Sequence, residues 1–490
     1  MAKKAPALDE KGYRKFGILD RLAYAAGDLG CNMSFSLKGT VQTFWLVYMT
    51  LETGLLSALL LLVQIWDAVN DPMIGSMIDA DRRQYKYGKF KTYIFVGACG
   101  LLVGGAAVFL PFPNAGTVAK AVLFIVGYVI WDAFYTVANV PYGSMLSLVT
   151  EDAGERAQLS TWRSIGSMIG NMLPMVLLPM LIWKKEFDAN GDPVINPETG
   201  VQVQTLLGDR VFIAALIMGV IGFFCFLFML KNITIRVDEQ TVKTNEGEKF
   251  NVMQAFVNFM KNRAAIGATL AAMAMFLGMN SASTAITIMF ATYFGNADMS
   301  GLVSMIGFLP MFIFMPFIKK IVNKFGKKES ASVGALFSVL GGILMFIFPG
   351  MADKNIALVV YIASLGVFGL GMGIYTCVSW ALMADAIDYN EWKTGKREEG
   401  TVYSLHSFFR KLAQGIGPSI VLLLMGAMGY VSKLGTEGQS LATAHNMCWL
   451  VCGLYLFSAV LMFVSLQFIY NIDKKTLAQM NEELAARKAS

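Results

Sequence analysis

Residues 54–79 read GLLSALLLLVQIWDAVNDPMIGSMID. A helix needs about 20 mostly apolar residues to cross a bilayer, and this stretch satisfies that length. It nevertheless carries Asp67, Asn70 and Asp71 near its middle. At helical spacing the three stand at i, i+3 and i+4 and share one face. Ionisable groups at membrane depth are costly, so they face a bundle interior or a wet cavity and serve a purpose there. Two carboxylates and an amide carbonyl make a hard-oxygen set suited to sodium or lithium. They equally suit one shared proton, because adjacent like charges resist double ionisation. A plainer role is to hold basic residues and lock helices together. Pro72 is expected to break the helix locally and release a carbonyl as a further ligand.

Eleven more stretches of this kind lie outward from it, near 23–50, 92–113, 118–148, 161–183, 210–230, 264–294, 300–318, 330–350, 356–384, 402–430 and 443–470. Together they predict an all-α polytopic membrane protein with twelve transmembrane helices. Composition agrees: of 490 residues 56% are hydrophobic and 15% charged, where an ordinary soluble domain has roughly 25% charged residues. Disorder, collagen, a coiled coil and a disulfide-stapled secreted domain are excluded on these grounds. Six cysteines (Cys31, Cys99, Cys225, Cys377, Cys448, Cys452) all fall in apolar stretches, with no CxxC, and read as small buried hydrophobes. Residues 1–21 are polar and basic, with no visible cleavable signal peptide.

The spans divide into two groups of six. Residues 231–262 separate them, and their VDEQTVKTNEGEK run is strongly polar. The organisation expected is a segment over 1–22, a six-helix bundle over 23–230, a linker over 231–262, a second bundle over 263–470 and a tail over 471–490. Cytoplasmic loops concentrate lysine and arginine. Placing both termini in the cytoplasm assigns 31 of the 40 basic residues to inside segments and only Lys184, Lys185, Arg210, Lys354 and Lys433 to outside ones. The net charge of +6 therefore reflects loop bias and calls for no nucleic acid partner. Tyr87-Gly88-Lys89-Phe90-Lys91 follows the second span, and Phe325-Gly326-Lys327-Lys328 follows the second span of the other half. This weak repeat supports two pseudo-symmetric six-helix bundles, the major facilitator plan, and hence a secondary transporter in the cell (plasma or inner) membrane.

Other polar groups sit inside spans. Asp28 and Asn32 share a face of the first, and Lys38, in the same span, is expected to pair with a carboxylate or to snorkel. Asp132, Thr136 and Asn139 step along the fourth. Arg163 opens the fifth, and His406, Ser407, Arg410 and Lys411 lie on the eleventh. The aromatic residues Tyr135, Tyr142, Trp162, Tyr375 and Trp380 are able to stack on sugar rings, although most aromatics in such a chain pack or anchor at the interface.

The segments IWDAVNDPMIGSMIDADRRQYKYGKFK (65–91), ANVPYGSMLSL (138–148), ERAQLSTWR (155–163) and ADAIDYNEWKTGKREEGTVYSLHSFFRKLAQGIG (384–417) resemble the glycoside–pentoside–hexuronide:cation symporters over nearly the whole chain. The resemblance implies a cation site (Na+, H+ or Li+) at Asp67, Asn70, Asp71 and Thr136, and no other cofactor. It implies a sugar site that includes Tyr135, Arg163, Ser407 and Lys411, to which Asp28, Asn32, Asn139, His406 and Arg410 are added as buried polar candidates. It further implies a conformational gate of Asp385, Asp388 and Glu391, with Arg156 and Arg397 as partners. The partners expected are a sugar or glycoside, a monovalent cation and the lipid bilayer, with the protein functional as a monomer.

Departures from the galactoside carriers are specific. Asn32 and Asn139 replace galactoside-binding aspartates, Cys31 a lysine, Gly143 a tryptophan and Gln64 an arginine. NVPYGS and FFRK look closer to the glucuronide and pentoside carriers. Two carboxylates have become amides while Arg163, Arg410 and Lys411 remain, so a hexuronide bound through arginine is expected, with a neutral pentoside or glucoside as the alternative. A lipid or lysolipid carrier of the same fold and a non-transporting ligand sensor are the competing classes. No enzyme is expected: only His406 and His445 exist, without HExxH or a phosphate-binding loop. Asp188, Asn190 and Asp192 open like a calcium loop, but Pro193 and Thr199 occupy its sixth and twelfth positions, so a turn is the better reading.

Overall fold

The computed structural model describes residues 13–81, 83–150, 152–237, 252–279, 281–395 and 399–489. The chain divides into two units. One comprises Met1–Lys184 and Leu206–Gly247, the other Lys185–Thr205 and Glu248–Ser490.

The first unit is built from α1 (Ile18–Phe35), α2 (Leu37–Thr43), α3 (Thr53–Ala80), α4 (Lys89–Ala107), α5 (Thr117–Val149), α6 (Ala153–Ile182) and α7 (Gly208–Asn232). Helix α2 continues into a π-turn over Phe44–Tyr48. The first predicted span is therefore a helix of three pieces that carries Asp28 and Lys38, with Asp20 in the turn before it, and it falls outside the eleven helices among the described residues whose length and hydropathy alone suit a membrane. Helix α1 packs on α6 and α7, α4 on α5 and α7, and α3 on α5.

The second unit contains α8 (Val252–Lys261), α9 (Arg263–Met279), α10 (Ser283–Met289), α11 (Ser300–Ile306), α12 (Leu309–Phe314), α13 (Ile318–Phe325), α14 (Lys327–Met345), α15 (Lys354–Thr394), α16 (Glu399–Ala427), α17 (Leu441–Val464) and α18 (Lys474–Ala489). Helix α15 packs on α14, α12 and α9, and α16 on α9. All six cysteines are unpaired, in keeping with their apolar settings.

The 184–209 connection is a two-stranded hairpin, β1 (Trp183–Lys185) with β2 (Gln204–Leu206). Its tip is the expected turn: the Asp188 carboxylate accepts from the amides of Asn190 and Asp192 at 2.8 and 2.9 Å. Although it joins two helices of the first unit, residues 185–205 are bound by the second. Gln204 Nε2 donates to the Gly295 carbonyl at 2.8 Å, Thr436 Oγ1 to the Gln204 carbonyl at 2.7 Å, and Asn196 Nδ2 to the Glu437 carbonyl at 2.6 Å.

The repeat suspected from sequence is visible in the backbone. Gly88 and Gly326 each cap the helix that follows, with φ/ψ of 88/153° and 103/161°. That region is open essentially to glycine alone. Beside the first turn, Asp81 accepts from the hydroxyls of Tyr85 (2.6 Å) and Tyr93 (2.7 Å) and from the Arg83 amide (3.0 Å). These donors, Tyr85 foremost, hold its pKa down to about 2. Its contribution to stability is thus present above the ordinary carboxylate pKa and lost as pH falls through about 2.

Gly88→Ala and Gly326→Ala should each lower stability by about 1–3 kcal/mol, because alanine is strained at these angles. Gly54→Ala, in a helix with open space at its Cβ, should stay within about 0.5 kcal/mol of the parent. Thermal unfolding of the detergent-solubilised variants checks both.

Candidate functional site

Helix α3 runs without interruption from Thr53 to Ala80, so the break expected at Pro72 does not occur. The missing proline N–H still leaves the carbonyl four residues back without its helical donor, but the surrounding turns continue. An unbroken helix keeps Asp67, Asn70 and Asp71 on one face. Asn70 is 0% exposed and Asp67 and Asp71 are half-buried, while Ile65, Val69 and Met77 on the other side are 65%, 55% and 62% exposed. The polar face turns into the unit and the apolar face turns outward.

The polar face meets α5. Thr136 Oγ1 donates to Asp71 Oδ1 at 2.9 Å, and Asn70 Nδ2 donates to Thr136 Oγ1 at 2.9 Å and to Asp132 Oδ2 at 3.3 Å. Gln64 Nε2 donates to Asp67 Oδ2 at 3.0 Å. Asn70 Oδ1 is buried without a hydrogen-bond partner. An unanswered buried acceptor costs about 1–3 kcal/mol, and such a group in a native fold calls for a missing ligand or another explanation. The structure thus joins Asn70, Asp71 and Thr136 in one network.

Two members of this cluster are not among the expected site residues. Asp132 stands one helical turn before Thr136, and that spacing is the signal the sequence offers. Lys38 interacts electrostatically with Asp67, Asp132 and Tyr128, and its Nζ lies 4.9 Å from the centre of the Phe35 ring. Only its presence as an ionisable group in an apolar stretch marks it. Fully ionised, the cluster sets three carboxylates against one ammonium and has room for added positive charge.

A second cluster joins α1 to α6. Gly166 permits the approach, since a Cβ there would collide with the Ala25 carbonyl. Arg163 Nε donates to Asp28 Oδ1 at 3.0 Å, Asn32 Nδ2 donates to Asp28 Oδ2 at 3.0 Å, and Asn171 Nδ2 donates to Asn32 Oδ1 at 2.7 Å. Asn171 is also absent from the expected set, because a lone amide in a span is a weak signal. The Arg163 guanidinium lies 5.1 Å from the Tyr142 ring centre. Its charge is answered by Asp28. Tyr135 packs on Phe35 with centroids 5.8 Å apart, and Asn139, one turn on from Tyr135, is half-buried.

In the second unit, buried His406 shares a 2.9 Å hydrogen bond between Nδ1 and Thr269 Oγ1. Arg410 lies over Trp380 at 4.7 Å and Phe276 at 5.5 Å, measured to ring centres, and its Nε is buried without a partner. Ser407 is half-buried and Lys411 exposed. Of the expected gate, Asp385 is paired with Lys327 at 2.6 Å, so the basic turn of the repeat supplies its partner where Arg156 and Arg397 were expected. Arg156 Nε donates to the Thr150 carbonyl at 2.9 Å. Asp388 and Glu391 lie one and two turns beyond Asp385 on α15 and are half-buried. Arg397 lies outside the described residues.

Eleven helices among the described residues are long and apolar enough to cross a membrane, as a polytopic membrane protein requires. The family model described as MFS/sugar transport protein matches residues 23–474, and the chain belongs to that family. The uncharacterized symporter YjmB of Bacillus subtilis is 29% identical over 478 residues, 96% of each chain. A glucuronide carrier protein homolog of Escherichia coli is 26% identical over 466 residues, 93% of each chain. The crystal structure of the nucleoside transporter NupG aligns with a TM-score of 0.58 over 92% of this chain and all of that one, at 14% identity, a likeness of fold alone. The family model and the glucuronide carrier homolog accord with the glycoside–pentoside–hexuronide resemblance, and the chain is a transporter of the sugar-transport family and not an enzyme.

The Arg163–Asp28 pair generates a stability prediction. Arg163→Gln strands the Asp28 carboxylate, whose side chain is 7% exposed, and should cost about 1–3 kcal/mol. The 37% exposure of Arg163 limits the loss. The double variant Asp28→Asn/Arg163→Gln should recover most of it in thermal melts. Equal melting of single and double variants would contradict the pairing.

Proposed function

We propose that this protein is a cation-coupled symporter of a sugar or glycoside, working by alternating access, with both termini in the cytoplasm and the monomer as the working unit in the cell membrane. The carrying observation is the α3–α5 network: the unpartnered Asn70 Oδ1 beside Asp71 and Thr136. Asp67, Asn70, Asp71 and Thr136 offer only hard oxygens to Na+ or Li+, and the carboxylates accept H+ equally well. Cation arrival relieves carboxylate repulsion and favours the state that receives sugar. Linkage is reciprocal, so sugar and cation each raise the other's affinity by one common factor.

The sugar is read as a hexuronide or glucuronide. The similarity to a glucuronide carrier homolog and the arginine beside aromatic walls in the second unit support this reading. The 31-to-5 distribution of basic residues supports the orientation.

Protein-loaded vesicles test the proposal. The parent should concentrate methyl β-D-glucuronide under an inward Na+, Li+ or H+ gradient. Asp71→Asn should abolish accumulation against a gradient and all cation stimulation of sugar binding. Accumulation that persists in Asp71→Asn removes that carboxylate from coupling. Absence of sugar flux in the parent, with binding intact, would instead make the protein a sensor.

A further inference from the structure

Resting on the reading that the cargo is a sugar, we propose that Arg410 is the recognition point for a single negative charge on that sugar, a carboxylate or a sulfonate, within the cavity that α9, α15 and α16 enclose in the second unit.

The cavity is about 90 Å3 and is lined by Phe276, Tyr375, Ser379, Trp380, His406 and Arg410 among others. At roughly 15 Å3 per water-sized sphere it holds about six, enough for an oxyanion group while the sugar ring stays outside. The Arg410 guanidinium carbon lies over two rings, Trp380 at 4.7 Å and Phe276 at 5.5 Å from their centres. Two ring contacts restrain the guanidinium, and with Nε unpartnered its fork is available for two parallel hydrogen bonds with an oxyanion. Trp380 is itself set by Tyr403, stacked at 5.8 Å, and by His406, edge-on at 5.9 Å.

The charge of Arg410 is unanswered. Among the described residues no carboxylate lies within ion-pair distance of it, and its buried Nε donates to nothing. Other basic groups do have acidic partners: Arg163 pairs with Asp28 within the spans, and nearer the helix ends Arg14 and Arg236 pair with Asp20 and Lys327 with Asp385. Two of the lining hydroxyls are already spent on backbone, Thr376 on the Met372 carbonyl at 2.7 Å and Ser379 on the Thr376 carbonyl at 3.1 Å. Among the described lining residues the guanidinium is the cationic donor. One cation balances a monoanion. A sugar phosphate, dianionic near neutral pH, lacks the second cation among the described lining residues.

The test is binding to the full-length protein in nanodiscs, by calorimetry, of methyl β-D-glucuronide, a methyl glycoside of 6-deoxy-6-sulfoglucose, methyl β-D-glucoside and glucose 6-phosphate. The parent should prefer both monoanions over the glucoside. Arg410→Gln should cut that acid-over-neutral preference about 30-fold or more, since it removes one partner of a desolvated charge pair. Arg410→Lys, which keeps the charge and loses the fork, should fall between and serves as the readout if the glutamine variant melts early. A preference unchanged in both variants overturns the assignment, as does glucose 6-phosphate binding more tightly than either monoanion. Cation-driven accumulation of the glucoside with no preference for acids defeats this inference alone. Acid binding lost in the variants, together with no cation-driven accumulation of any sugar, defeats the symport reading alone.

Discussion

Hydrocarbon offers no hydrogen bonds, so every polar group carried into a membrane-spanning unit must find its partner within the protein or keep a ligand waiting. That constraint organises this molecule. On α3 the amide of Asn70 donates to Thr136 and Asp132, while its carbonyl oxygen has no donor. The orphan stands beside the Asp71 carboxylate, already bound by Thr136, so the unfilled valence and the excess negative charge coincide. A positive ion satisfies both together, which a neutral donor does not.

The same accounting separates the arginines. As basic residues inside apolar spans, Arg163 and Arg410 are alike in sequence. Packing distinguishes them. The close approach of α6 to α1 at Gly166 gives Arg163 an acidic partner, and the pair is locally neutral. Arg410 has aromatic rings where Arg163 has Asp28, which stabilise its stem and faces without cancelling its charge. One arginine ties helices together; the other is left to attract an anion.

Repetition between the halves shows how local chemistry is reused. Gly88 and Gly326 adopt nearly the same angles at the start of α4 and α14. What surrounds each turn differs. In the first unit Lys89 donates to the Asp81 carbonyl at 3.0 Å, whereas in the second Lys327 reaches the carboxylate of Asp385. The expected gate carboxylate is consequently anchored within its own unit by the adjacent basic turn.

Helix positions are legible because hydropathy and the 3.6-residue period are local properties: residues 54–79 alone define a span, and the i, i+3, i+4 spacing defines the shared face of Asp67, Asn70 and Asp71. The glycine turns and the unpaired cysteines are equally local. The break expected at Pro72 fails because a single lost hydrogen bond does not outweigh the turns on either side of it. Lys38 beside Asp67, Asp132 completing the α3–α5 cluster, Asn171 behind Asn32, Lys327 on Asp385 and the unanswered charge of Arg410 are decided only by tertiary structure. Each depends on which helix faces come together across tens or hundreds of residues, and hydrogen-bond and ion-pair contact requires side chains to meet directly, so adjacency along the chain cannot report it.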